Sequence, residues 1–122
     1  GISTFAGAWF YVPSRLAPSS KALYPPEYIE TTIVEEEGVL RGRYYGRYRV
    51  TDRAISPEVI FQFEGQPQRE VAVLEWHGGG ARGEIRLKLL SENSLEVSWS
   101  ATELGSPPGL AAGTAVLVRR VE

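Results

Sequence analysis

The residues that could carry chemistry are few and scattered. His77 is the one histidine, Asp52 the one aspartate, and cysteine and methionine are absent. His77-Gly78-Gly79-Gly80 has the composition of an oxyanion turn, in which backbone N–H groups meet a developing negative charge. Acyl transfer would also need an activated serine and a separate base. No Gly-x-Ser-x-Gly elbow is present, and spending His77 in the turn leaves no histidine to act as base. The stretch therefore reads as a glycine-rich hairpin tip. A Ser–His–acid triad through His77, in an esterase or isomerase, is the enzymatic alternative. One histidine, one aspartate and no cysteine give no ligand set at zinc spacing. Glu35-Glu36-Glu37 offers oxygens to a hard cation but reads better as a solvated turn facing Arg41 or Arg43. Glu30, Glu64 and Glu75 fall in strand-like runs, yet nothing places two of them on one inner face for glycoside chemistry. The expectation is a non-enzymatic chain with no catalytic residue, no metal and no cofactor.

A second pattern is Arg41, Arg43, Arg47 and Arg49 interleaved with Tyr44, Tyr45 and Tyr48. Basic and aromatic interleaving can hold single-stranded nucleic acid. In a strand, however, alternation sends the arginines and Tyr44/Tyr48 to opposite faces, and only Tyr45 shares the arginine side. Net charge is -2, so no general field draws in nucleic acid. The row reads as an outer face laced with cross-strand ion pairs, and no nucleic-acid partner is expected.

Elements that alternate in this way dominate the chain. Its 122 residues suit one domain, 1–122, large enough to bury a core. No apolar run approaches the roughly 18 residues of a membrane span. Gly1 has the look of a tag scar, and the missing start methionine suggests processing or excision from a longer product. Either origin leaves the compartment open, with a periplasmic or secreted location slightly favoured.

Strand-like runs are expected at 5–12, 28–36, 39–50, 58–64, 70–77 and 114–121, with two more between them: one placing Ile85, Leu87 and Leu89 on a face, the other Val97 and Trp99. A two-residue turn at Glu37-Gly38 pairs Ile33 with Gly42, Thr31 with Tyr44 and Ile29 with Gly46 on one face. Val34 with Arg41, Thr32 with Arg43 and Glu30 with Tyr45 then share the other. A three-residue loop at Glu92-Asn93-Ser94, with Asn tolerating the left-handed region, sets Leu89 opposite Val97 and Leu87 opposite Trp99. The run at 70–77 is apolar on both faces, as in a strand covered on both sides. The proline-rich loop 13–26 is expected over one mouth as a lid or plug. Eight strands with no helix between them imply an all-β, antiparallel, up-and-down eight-stranded barrel.

Phe5-Ala6-Gly7-Ala8-Trp9 resembles the F-x-G-x-W opening of the calycin group: lipocalins, intracellular fatty-acid-binding proteins and, more loosely, avidins. Gly38-Val39-Leu40-Arg41-Gly42-Arg43-Tyr44 is similar to the G-x-L-x-G-x-Y hairpin of avidins. The chain looks like a small bacterial lipocalin-like barrel domain. The resemblance implies that Trp9 closes one barrel end and that an arginine of the last strand, Arg119 or its neighbour Arg120, packs across it. It supplies no ligand.

Two uses follow for such a barrel. In the first, Tyr44, Tyr48, Phe61, Phe63, Trp76 and Trp99 line the interior and hold a small hydrophobic or amphipathic molecule, with inward Arg120 (or Arg119) or Tyr44 fixing its polar head; Trp9 and Arg119 close the barrel. In the second, these rings fill the barrel and the domain is an accessory or interaction module, or a homodimer. Val71 and Val73, with Val116 or Val118, then mark the partner surface.

Overall fold

The structure, a computed structural model, describes residues 5–12, 24–52, 54–68, 71–105 and 109–119. Eight strands follow one another: β1 (Gly7–Tyr11), β2 (Pro26–Glu36), β3 (Val39–Tyr48), β4 (Glu58–Gly65), β5 (Val71–Gly78), β6 (Ala81–Ser91), β7 (Ser94–Glu103) and β8 (Ala112–Arg119). Each pairs antiparallel with the next, and β1 pairs with β8, so the sheet closes into an up-and-down barrel. This is the expected class, and it is consistent with a calycin-like fold. Among the described residues no helix is long and apolar enough to cross a membrane.

Closure follows from the alternation. Each strand sends its apolar set to one side, and a closed sheet gives all eight sets a common interior without leaving an edge. The inner set includes Trp9, Ile29, Ile33, Leu40, Tyr44, Tyr48, Phe61, Phe63, Leu74, Trp76, Ile85, Leu87, Leu95, Val97, Trp99 and Leu117, all buried. The seams are unequal. β2 and β3 are in register from Tyr28↔Arg47 to Glu36↔Val39. Among the described residues the β1–β8 seam has Trp9↔Arg119, Phe10↔Val118 and Tyr11↔Leu117, and the β4–β5 seam Gln62↔His77, Phe63↔Trp76 and Glu64↔Glu75.

The β2–β3 hairpin has the expected register throughout. Its turn residues Glu37 and Gly38 both take positive φ, 51° and 78°, the mirror-image turn whose twist matches that of the strands.

The β6–β7 hairpin departs from expectation. Ser91 pairs with Ser94 across a tight Glu92-Asn93 turn, so Leu89 faces Leu95, Leu87 faces Val97 and Ile85 faces Trp99. An irregularity between Leu89 and Ser91 absorbs the difference, and Asn93 does not enter the positive-φ region. The register is displaced by two residues, so every side chain keeps its face.

β5 also differs from its pattern. Ala72, Leu74 and Trp76 point inward, but Val73 is 50% exposed: nothing covers the outer face of this strand among the described residues, so its two apolar faces do not mean two-sided burial. Several ends move as well. β1 starts at Gly7 because Phe5 folds under the barrel instead of pairing, and β8 starts two residues earlier than its hydrophobic run. Arg120, Val121 and most of the loop at 13–26 lie outside the described residues. At the end of that loop, Tyr24 packs against the core and donates a hydrogen bond to Asp52 at 2.6 Å.

Candidate functional site

At the end of the barrel bearing the β2–β3 and β6–β7 turns, Trp9 is wholly buried and donates its indole N–H to the Phe5 carbonyl at 2.9 Å. The Arg119 guanidinium lies 4.3 Å from the Trp9 ring centroid, in reach of a cation–π contact. Its Nη1 donates to the Ala6 carbonyl and its Nε to the Glu92 carbonyl at 3.0 Å. Gly7 sits where a Cβ would meet Arg119 Nη1 at 2.7 Å, and its φ of 137° is one that side chains avoid. The three spaced residues of the opening motif thus have separate roles: Phe5 accepts, Gly7 makes room and Trp9 receives the guanidinium. The inward arginine of the last strand is Arg119; Arg120 falls outside the described residues.

The six rings named for ligand contact come together, and they touch one another. Phe61 stacks on Tyr44 at 4.8 Å between centroids and on Trp76 at 4.4 Å. Trp99 meets Trp76, Phe61 and Tyr48 edge-on at 5.9, 5.7 and 6.2 Å. Phe63 stands edge-on to Phe61 at 6.4 Å. β3, β4, β5 and β7 all contribute, so the stack spans the interior from wall to wall. Room comes from glycines on facing strands: Gly42 opposite Phe63, Gly83 opposite Trp76 and Gly113 opposite Trp99. A Cβ at Gly113 would lie 2.6 Å from the Trp99 indole nitrogen and 2.7 Å from the Tyr48 hydroxyl. Above the stack, loop residues Leu110 and Ile55 join the core with Tyr24 and Val50.

The polar atoms of the stack are mostly satisfied internally. The Trp99 indole donates to the Tyr48 hydroxyl at 3.0 Å, and the Tyr44 and Tyr48 hydroxyls share a short hydrogen bond. Burial, reinforced by the neighbouring Tyr48, holds the Tyr44 phenol well above its ordinary range. Burial also raises the Tyr48 phenol, partly offset by the hydrogen bonds from Tyr44 and Trp99. Both are neutral hydroxyls at physiological pH. The Trp76 indole reaches the Glu84 and Ser100 carbonyls, both at 3.1 Å, beside the register irregularity at Arg82/Gly83. The exception is Thr31, which lies between Trp9 and Tyr44 in the cross-strand row and whose hydroxyl has no partner among the described residues.

The outer wall carries the charges. Arg41, Arg43, Arg47 and Arg49 are all exposed there, as alternation requires. Arg41 pairs with Glu64 at 3.3 Å and Arg49 with Glu27 at 3.9 Å. The partner of Arg41 is thus on β4 and not in the Glu35–Glu37 turn, because β4 sets Glu64 directly opposite it. Tyr45 donates to Glu58, and that hydrogen bond raises its phenol pKa; Tyr28 donates to Glu30 with the same effect.

His77 is exposed on this wall and makes no hydrogen bond to a serine or a carboxylate among the described residues. Two open grooves flank it. One, about 450 Å³, is lined by Thr32, Val34, Arg41, Gly42, Arg43, Gln62, Phe63, Glu64 and His77. The other, about 770 Å³, is bordered by Glu64, Glu75 and Glu84 with Arg82, which is engaged by Glu103 at 2.7 Å. No group of three or more metal-ligating side chains is disposed to hold an ion among the described residues.

No protein-family model, curated protein or solved structure matches this chain.

The inner-face residues can be read from period-two spacing. The glycines that accommodate the rings are less visible, although a bulky residue opposite a glycine recurs across three hairpins and is a usable signal. Period-two spacing groups Leu95 with Val97 and Trp99, whereas Leu110 carries no such signal because it lies in a loop.

Proposed function

We propose that this chain is a non-enzymatic, calycin-type barrel whose interior is structural and whose working surface is the outer wall, making it an accessory or interaction domain. The observation that carries this reading is the ring stack Tyr44–Phe61–Trp76 with Trp99 across it. An eight-stranded barrel is just wide enough to be filled by side chains or to hold one small ligand. Here the rings proposed for the ligand occupy that width themselves, at stacking distances that leave no layer between them. The Trp9–Arg119 contact supports the calycin relationship.

The outer wall supports the second half of the reading. Val118 stands opposite Phe10, Phe10 opposite Glu30, Glu30 opposite Tyr45 and Tyr45 opposite Ile60. Tyr28 packs edge-on to Tyr45 at 5.8 Å. With exposed Val12 and Val116, these apolar groups gather over β8, β1, β2, β3 and β4, around a Glu30 that accepts a hydrogen bond from Tyr28. Val73 is not among them, since polar Arg86, Ser98 and Thr114 separate it from β8 in the cross-strand row. Exposed apolar surface gathered in one region is what partner surfaces present.

Titration of the folded protein with laurate and with a lipophilic fluorescent probe tests this. The expected result is no stoichiometric binding and unchanged tryptophan emission. One-to-one binding with quenching would overturn it in favour of a ligand inside the barrel. A monodisperse monomer that captures no partner would remove the interaction role.

A further inference from the structure

The smaller outer groove contains a row of hydrogen-bonding groups that the fold does not use. Thr32 pairs with Arg43, Arg43 with Gln62 and Gln62 with His77, so four polar side chains stand side by side across β2, β3, β4 and β5. All four are exposed, and none makes a side-chain hydrogen bond or ion pair among the described residues. Their neighbours do: Arg41 is engaged by Glu64, and at the end of the same row Arg82 is engaged by Glu103. Among the described residues no carboxylate neutralises the Arg43 guanidinium, which is flanked by a neutral hydroxyl and a neutral amide. Beside the row stands one apolar side chain, Val34, 47% exposed.

We infer that this groove is a docking site for an extended segment of a partner polypeptide presenting a carboxylate beside an apolar side chain, the carboxylate held by Arg43 with Gln62, Thr32 or His77 and the apolar group against Val34. The inference rests on the outer-wall reading above and specifies its partner. Charge complementarity selects the occupant. A guanidinium fork matches one carboxylate in two-point geometry. The adjoining row Glu64, Glu75 and Glu84 opposes a doubly charged phosphate. The dimensions select a polypeptide. Small-molecule sites bury most of their ligand, and this groove is open along the wall. Four neighbouring strands span about 14 Å, the reach of about four extended residues.

The test uses a panel of terminally blocked hexapeptides carrying Glu or Asp beside Val, Leu or Phe, followed by amide chemical shifts of the folded chain and by fluorescence anisotropy. Members of the panel are expected to shift Thr32, Arg43, Gln62 and His77. Replacing their carboxylate by the amide should weaken binding about tenfold, as should Arg43→Gln, the loss of one charge-assisted hydrogen bond pair. Arg86→Gln, on β6, should change nothing. The inference falls if acid and amide peptides bind alike, if Arg43→Gln binds as the parent does, if the shifts map elsewhere, or if no panel member binds at millimolar concentration. Hexanoate binding as tightly as the peptides would also overturn it, by assigning the groove to free carboxylates. Inorganic phosphate competing at equal concentration would overturn the charge argument. None of these failures touches the outer-wall reading, which falls only on the probe, monomer and partner tests above.

Discussion

At the scale of single residues, the two conspicuous buried hydroxyls have opposite energetic signs. The Tyr48 hydroxyl receives the Trp99 N–H and hydrogen-bonds the Tyr44 hydroxyl, so deleting it strands two buried groups. Tyr48→Phe is expected to cost about 1–3 kcal/mol in denaturant unfolding. The Thr31 hydroxyl is fully buried and bonded to nothing among the described residues. Thr31→Val keeps the shape and removes an uncompensated polar group, and should raise stability by about 1 kcal/mol. Equal losses in both variants would show that the Thr31 hydroxyl has a partner. Alternation along β2 and β3 already places Thr31 and Tyr44 on the inner face as a pair. It does not say that Tyr44 turns its hydroxyl to Tyr48 and away from Thr31, because that choice is made by Trp99, on a strand 51 positions further along the chain from Tyr48.

Between elements, the decisive contacts are those of a ring with a glycine across a strand pair. Gly42 faces both Ile33 and Phe63, and a Cβ there would overlap the Phe63 ring, 2.2 Å from its Cζ. Gly42→Ala should destabilise by about 1–3 kcal/mol through overpacking. Combined with Phe63→Leu, which withdraws the ring, the loss should be less than the sum of the two single changes, a coupling of roughly 0.5–3 kcal/mol. Strict additivity in a double-mutant cycle would mean that the ring does not cover the glycine. The hairpin at Glu37-Gly38 was legible down to its register, because its polar and apolar faces match in only one alignment. The β6–β7 hairpin was legible only to its faces. Ser91, Glu92, Asn93 and Ser94 are all polar and mark no unique turn, and the apolar positions Ile85, Leu87, Leu89, Leu95, Val97 and Trp99 accept any shift by two residues.

For the whole molecule, the barrel is held by eight seams of unequal length. Among the described residues the seams β1–β8 and β4–β5 have three pairs each; they lie across from one another in the strand order, each flanked by longer ones. Native-state hydrogen exchange should find amides at Phe10, Val118, Gln62 and His77 opening before those of β2–β3 and β6–β7. Uniform protection around the barrel would show instead that the interior stack, and not seam length, sets local stability. The amino-acid sequence alone determined the strands and the side of the wall each residue takes, because alternation and tight turns act between residues close in the chain. Tertiary structure decided that the rings meet across the axis and that Thr32, Arg43, Gln62 and His77 align on the outer wall. Thr32 and Arg43 pair within one hairpin, but bringing Gln62, His77 and the rings of β7 into line depends on the register of every seam between them.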